Sequence, residues 1–199
     1  MQKNKTNENH KVAIEKFDKL DYHSNEAYKT LRTNVLFSGS DVKVIALTSC
    51  TPGEGKTSVS FNLAISLAES GKRVFFVDCD LRKSVMAGRY KMGKMKEGLT
   101  HYLSGQTKLE NVIYETPVEG LSYLPTGPVP PNPVELLGNE LMQQMITTLR
   151  EQADYVIIDA PPLGSVVDAA VLAKICDGTI MVVAANEISY KFAQRVKQQ

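Results

Sequence analysis

The sequence holds only three cysteines, Cys50, Cys79 and Cys176, with no C-x-x-C pair and no metal-ligand spacing among them. So odd and sparse a count fits a reducing compartment better than a disulfide framework. No apolar run approaches the ~20 residues that cross a bilayer. The opening M-Q-K-N-K-T-N-E-N-H has no apolar core of the kind a secretion signal needs. A cytoplasmic location is therefore expected, with any membrane association arising through a partner. Charge imbalance is also missing: the net charge is +1, which argues neither for nor against nucleic acid. There is no internal repeat, and the turn-rich loop from Gly127 to Asn132 is too short to separate domains. What is present is 43% hydrophobic content in 199 residues, enough for one globular domain with an ample core.

The densest signal is T-P-G-E-G-K-T-S, Thr51 to Ser58, directly after the apolar run V-K-V-I-A-L-T from Val42 to Thr48. A strand, a glycine-rich loop and a helix in this order make a phosphate cradle. Gly53 and Gly55 let the backbone approach an anion, and the loop amides point at it. Lys56 is expected to reach the β- and γ-phosphates and Thr57 to place its hydroxyl on Mg²⁺. Pro52, Gly53, Glu54, Gly55, Lys56, Thr57 and Ser58 are thus the expected nucleotide-binding residues. Cys50 stands where the usual pattern has its first glycine. The plain alternative is a glycine-rich turn before an amphipathic helix.

Residues 1–21 are polar and read as a mobile arm, followed by one domain over residues 22–199. A helix is expected from Ser24, as its cap, to Phe37, with Ala27, Tyr28, Leu31 and Val35 on its apolar side. A second helix fits Ser58 to Ser70. Pro133 to Glu151 reads as one helix capped by Asn132, and Val166 to Cys176 as another, with Asp168 near its start. Short runs apolar on both faces, at Val74–Val77, Val156–Ile158 and Thr179–Ala185, read as buried parallel strands. Leu121–Leu124 adds a further strand. The expected fold is α/β, a mostly parallel sheet with helices on both faces and ligand chemistry at the carboxyl ends of the strands.

Two of those strands end in acid. V-F-F-V-D-C-D-L-R places Asp78 and Asp80 past a strand end with Arg82 close behind, and Y-V-I-I-D-A-P-P places Asp159 at another. Thr57, Asp78 and Asp159 can then converge on one Mg²⁺, a hard cation that takes oxygen ligands. Asp78 or Asp80 could accept a proton from an attacking hydroxyl. Arg82 could pair with a phosphate or hold an aspartate. For an isolated aspartate, a turn or helix-cap role is the ordinary reading.

Taken together, C-T-P-G-E-G-K-T, V-F-F-V-D-C-D-L-R and V-I-I-D-A-P-P resemble the Walker A, Walker A′ and Walker B set of the bacterial tyrosine kinases, P-loop autokinases of capsular and exopolysaccharide synthesis. Glu26-Ala27-Tyr28-Lys29-Thr30-Leu31-Arg32 resembles that family's E-x-x-R-x-x-R ring-assembly helix, with Lys29 at the first arginine. G-L-T-H-Y-L-S-G (Gly98 to Gly105) and G-P-V-P-P-N-P-V-E-L-L (Gly127 to Leu137) resemble further family segments. The likeness spans about residues 22 to 197. It implies ATP- and Mg²⁺-dependent phosphorylation of protein tyrosines, mainly between subunits of a homo-oligomeric ring, with a transmembrane activator whose cytoplasmic tail supports the ATP-bound form. It also implies a peripheral place at the inner membrane face, and no nucleic acid partner. In that family's pattern Asp78 activates the incoming hydroxyl, with Asp80 and Asp159 organising the metal; Lys56 and Arg82 complete the expected catalytic set. Arg82, Lys83, Arg89, Lys91, Lys94 and Lys96 form a basic stretch without an acid between them, suited to an acidic partner, to the anionic membrane face or simply to solvent.

Two family features are missing from the sequence. The last of its eight tyrosines is Tyr190, so Lys191 to Gln199 hold no tyrosine cluster. A final strand after the last helix is also missing, and the chain reads as truncated at its C-terminus. Tyr190, near a helix start, is assigned a structural role. Cell-division and plasmid-partition ATPases share the architecture, but they carry a lysine where Thr51 stands. An adaptor that binds ATP without catalysis is a third reading.

Overall fold

The computed structural model describes residues 10–198. Six strands form one sheet in the order β3-β4-β2-β5-β1-β6. They are β1 (Val44–Ser49), β2 (Val74–Asp78), β3 (Tyr114–Glu115), β4 (Leu121–Leu124), β5 (Tyr155–Asp159) and β6 (Gly178–Val182). All pairings are parallel except β3 with β4. The central strands are apolar on both faces because both faces are covered. Val44, Ala46, Val156 and Ile158 enter one core layer. Ile45, Leu47, Tyr155 and Ile157, one residue out of step, enter the other.

One layer is covered by α1 (Tyr22–Leu36) and α2 (Lys56–Glu69). The other is covered by α4 (Leu99–Leu103), α5 (Pro133–Leu137), α6 (Glu140–Gln152) and α7 (Asp168–Ala173). A single turn, α3 (Met86–Arg89), and a last helix, α8 (Tyr190–Lys197), complete the chain. The α/β fold with helices on both faces is the one expected.

Several local expectations shift. Asp21, not Ser24, caps α1: its carboxylate accepts from the Ser24 amide at 2.7 Å. Of the expected apolar side of α1, Val35 is buried, Tyr28 and Leu31 are half-buried, and Ala27 is exposed. The helix expected over Pro133 to Glu151 is two helices, broken at Gly138 and Asn139. Asn139 caps α6 by accepting from the Met142 amide at 2.9 Å, while Asn132 makes no such cap. The break falls where a good N-cap residue can satisfy the new helix start.

The expected mobile arm needs a larger correction. Its first nine residues lie outside those described, but residues 10–20 lie along the domain. Val12 and Ile14 are buried. The Val12 amide donates to Glu115 O at 2.9 Å and the Gly93 amide to Ala13 O at 3.0 Å. The Asp18 carboxylate accepts from Asn62 Nδ2 at 2.9 Å, Tyr90 Oη at 3.0 Å and Arg89 Nη2 at 3.1 Å. The average polarity of the segment hid an alternation, Val12 then Ile14, that suits an edge segment with one buried face.

Candidate active site

β1, β5 and β2 are neighbours, so their carboxyl ends deliver the phosphate loop, Asp159 and Asp78 to one edge. Gly53 and Gly55 have φ of +91° and +83°. That left-handed region is costly for residues with a Cβ. A Cβ at either place would meet nothing within 4 Å, so the glycines serve backbone shape and leave open space in front of the loop. Gly55 opens α2 with no side chain capping it, which leaves the helix start available to an anion.

Lys56 Nζ donates to Asp159 Oδ1 at 2.7 Å, and the two side chains are 7% and 1% exposed. Thr57 Oγ1 donates to Asp159 Oδ2 at 2.7 Å, and Ser60 Oγ donates to Oδ1 at 2.9 Å. Asp159 is thus the hub of the loop. Asp78 is its direct neighbour across the β2–β5 pairing and is fully buried. The Ser84 hydroxyl donates to Asp78 Oδ2, the Tyr123 hydroxyl donates to the same oxygen at 3.4 Å, and the Asp80 amide donates to Oδ1 at 3.2 Å. Burial, and then the charge of Asp159, push Asp78 up from 3.8 to about 7; the Ser84 hydrogen bond and Lys56 oppose the rise.

Above these buried acids lies an open cleft of about 820 Å³. Pro52, Gly53, Gly55, Lys56, Thr57 and Ser58 line one side, and Asp80, Arg82, Lys83, Ser84 and Val85 another. Pro161, Pro162, Ser165 and Val166 form a third wall. That wall is held by Thr48, whose hydroxyl donates to Pro161 O at 2.7 Å and accepts from the Leu163 amide at 3.1 Å.

Two expected site residues act differently. Glu54 turns away from the cleft. Its carboxylate accepts from the Thr51 amide at 2.6 Å and the Ala184 amide at 3.3 Å, tying the loop to the end of β6. Arg82 holds neither Asp78 nor Asp80. Its Nε and Nη2 donate to the two oxygens of Asp168 at 3.0 and 3.2 Å. Asp168 is 1% exposed and Arg82 40%. Arg82→Ala leaves that buried carboxylate without a cation, with an expected loss of about 1–3 kcal/mol. Denaturant unfolding should show this loss, and adding Asp168→Asn should recover part of it.

The sequence reading missed Ser60, Ser84 and Tyr123, and gave Asp168 only a place near a helix start. The signal for Ser60 was its helical spacing from Lys56. Ser84 and Tyr123 carry none, since each reaches Asp78 from a loop or strand that the sequence does not pair.

Among the described residues no three His, Cys, Asp or Glu side chains are grouped so as to hold a metal by themselves. Two buried carboxylates and one hydroxyl fit a cation that also takes phosphate oxygens and water, as Mg²⁺ does. Among the same residues no helix is long and apolar enough to cross a membrane.

The family described as an AAA domain matches residues 42–196. Tyrosine-protein kinase CpsD of Streptococcus agalactiae is 45% identical over 174 residues, 87% of this chain and 75% of that protein. The kinase domain of Escherichia coli tyrosine kinase ETK superposes with a TM-score of 0.83 at 33% identity, covering 88% of this chain and 71% of that one. The septum site-determining protein MinD of Pyrococcus horikoshii, solved with Mg-ADP, superposes less closely, with a TM-score of 0.60 at 30% identity over 71% of this chain and 57% of that one. A phosphate loop whose lysine is clasped by a strand-end aspartate, on a fold nearer to the tyrosine kinase domain than to the division ATPase, places this chain in the bacterial tyrosine kinase family.

Proposed function

We propose that this chain transfers the γ-phosphoryl group of ATP to protein tyrosines and so regulates capsular or exopolysaccharide synthesis. The observation that carries the reading is the Lys56–Asp159–Thr57 cluster, set beside Asp78 beneath an open cleft. Nucleotide phosphates would lie along the Gly53–Gly55 turn and the start of α2. Lys56 would leave Asp159 to meet their charge. Thr57, Asp78 and Asp159 would hold Mg²⁺, which would supply positive charge to offset that of the phosphates. Asp78 would accept the proton of the incoming tyrosine, and Asp80, at the cleft wall, would order the surrounding water. Positioning and electrostatics supply most of the rate in such transfers.

The resemblance supports a transmembrane activator with a cytoplasmic tail, and a ring built through Glu26, Lys29 and Arg32. Arg32 Nη1 already donates to Ser66 O at 2.9 Å, which docks α1 on α2. Lys29, in an exposed pair with Glu26 at 2.8 Å, is freer to meet a neighbouring copy.

The test is incubation of the purified chain with Mg²⁺, radiolabelled ATP and a glutamate–tyrosine copolymer. Labelled phosphotyrosine is expected. Free phosphate without phosphotyrosine would instead make the chain an ATPase switch, and neither product would make it a binding adaptor.

A further inference from the structure

Asp78 is fully buried and is not among the residues that line the cleft. A carboxylate that no substrate can touch takes a proton only through an intermediary. Three donors reach Asp78. The Asp80 donor is a backbone amide, which keeps its proton. The Tyr123 hydroxyl belongs to a side chain 1% exposed and is closed to the cleft. The third donor is Ser84, and of the three side chains that bear on Asp78 through a hydroxyl or carboxyl only Ser84 both donates to it and lines the cleft.

Ser84 faces both ways. It lies exposed in the turn after β2. Its hydroxyl donates to Asp78 Oδ2, and its oxygen accepts from the Met86 amide at 3.3 Å. A hydroxyl oxygen has two lone pairs, so one is left for a donor in the cleft. The turn itself is fixed. Asp80 Oδ1 accepts from the Lys83 amide at 3.0 Å, and the Asp80 amide donates to Asp78 Oδ1 at 3.2 Å. β1 and β2 flank β5, so this turn faces the phosphate loop across the end of the strand that carries Asp159. A hydroxyl approaching the last phosphate of a nucleotide on that loop comes against the wall that holds Ser84.

We propose that Ser84 is a catalytic residue, a relay that accepts the phenolic proton of the incoming tyrosine and passes its own proton to Asp78. The assignment rests on the kinase reading above and deepens it. The tyrosine oxygen forms a bond to the γ-phosphorus of ATP. The bond from that phosphorus to the β–γ bridging oxygen breaks, and its electron pair leaves with ADP. The phenolic proton moves to Ser84 Oγ as the proton of Ser84 moves to Asp78 Oδ2. Ser84 ends neutral, Asp78 ends protonated, and the reverse path returns that proton to solvent once the products leave.

The test compares the parent chain, Ser84→Ala and Ser84→Thr with Mg²⁺, ATP and a glutamate–tyrosine peptide. A second peptide carries tetrafluorotyrosine, whose phenol is mostly ionised at neutral pH and has no proton to pass on. On the ordinary peptide Ser84→Ala should lower kcat by about 10²-fold or more, while calorimetry shows unchanged binding of Mg²⁺ with nucleotide. Ser84→Thr, which keeps the hydroxyl, should restore most of the rate. On the fluorinated peptide Ser84→Ala should match the parent. A normal kcat for Ser84→Ala on the ordinary peptide would overturn the relay and send the proton to Asp80 or to solvent. An equal loss on both peptides, a threonine variant as slow as alanine, or weakened nucleotide binding would reduce Ser84 to shaping the turn and overturn the relay as well. All of these outcomes leave the kinase standing. A parent chain that phosphorylates neither peptide would defeat the kinase reading, and this assignment with it.

Discussion

Lys56→Met abolishes phosphoryl transfer and also lowers the stability of the ligand-free fold. Sequence reasoning alone makes this lysine matter only when nucleotide is bound. The ion pair with Asp159 at 2.7 Å, nearly closed to water, changes that expectation. Methionine leaves Asp159 with two hydroxyl donors, Thr57 and Ser60, beside a second buried acid. Removing one partner of a buried pair costs about 3 kcal/mol or more, which lowers Tm by roughly 6–12 °C at this chain length. The double variant Lys56→Met with Asp159→Asn separates the two effects. It should regain most of the lost Tm, because the stranded charge is gone, and still make no phosphotyrosine. Normal transfer by Lys56→Met would remove the loop from the reaction. An unchanged Tm would show that the pair is not closed in solution.

The parts of this site legible in the sequence were those carried by short contiguous segments. The loop from Thr51 to Ser58 and the acids closing β2 and β5 each sit at the end of an apolar run, where a parallel sheet gathers them on one edge. What was hidden depends on contacts distant in sequence. Arg82 finds Asp168 across 86 residues, and Tyr123 reaches Asp78 across 45. Neither contact leaves a local pattern. Glu54, expected in the nucleotide-binding loop, has a side-chain role that its motif does not announce: its carboxylate accepts from the loop's own backbone. The antiparallel β3 is only two residues long, too short for any periodicity to register. The packed segment from Val12 to Asp18 shows how a polar average conceals two well-placed apolar side chains.

Asp78→Asn has opposite effects on activity and on ligand-free stability. If Asp78 accepts the phenolic proton, transfer falls by about 10²–10⁴-fold, the usual worth of a positioned base. Stability moves the other way. The folded state raises Asp78 from 3.8 to about 7, so between those values the folded chain keeps a proton that the unfolded chain releases. Stability then falls as pH rises, by up to about 1.4 kcal/mol per pH unit from this group. The contribution is whole below pH 3.8 and lost as pH passes about 7. Asparagine has no charge to desolvate and places no second anion beside Asp159. The variant should therefore match the parent near pH 4 and exceed it at pH 8 by at least about 1 kcal/mol, or about 2–4 °C in Tm. Thermal melts of both proteins across that range check the sign. A variant less stable than the parent at pH 8 would mean that the hydrogen bonds from Ser84 and Tyr123 outweigh the buried charge. Mg²⁺ with nucleotide should narrow the gap, since a cation at the strand ends stabilises the ionised parent more than the amide. The acid pair thus sits at a cost to the empty fold, which a bound divalent cation is suited to offset.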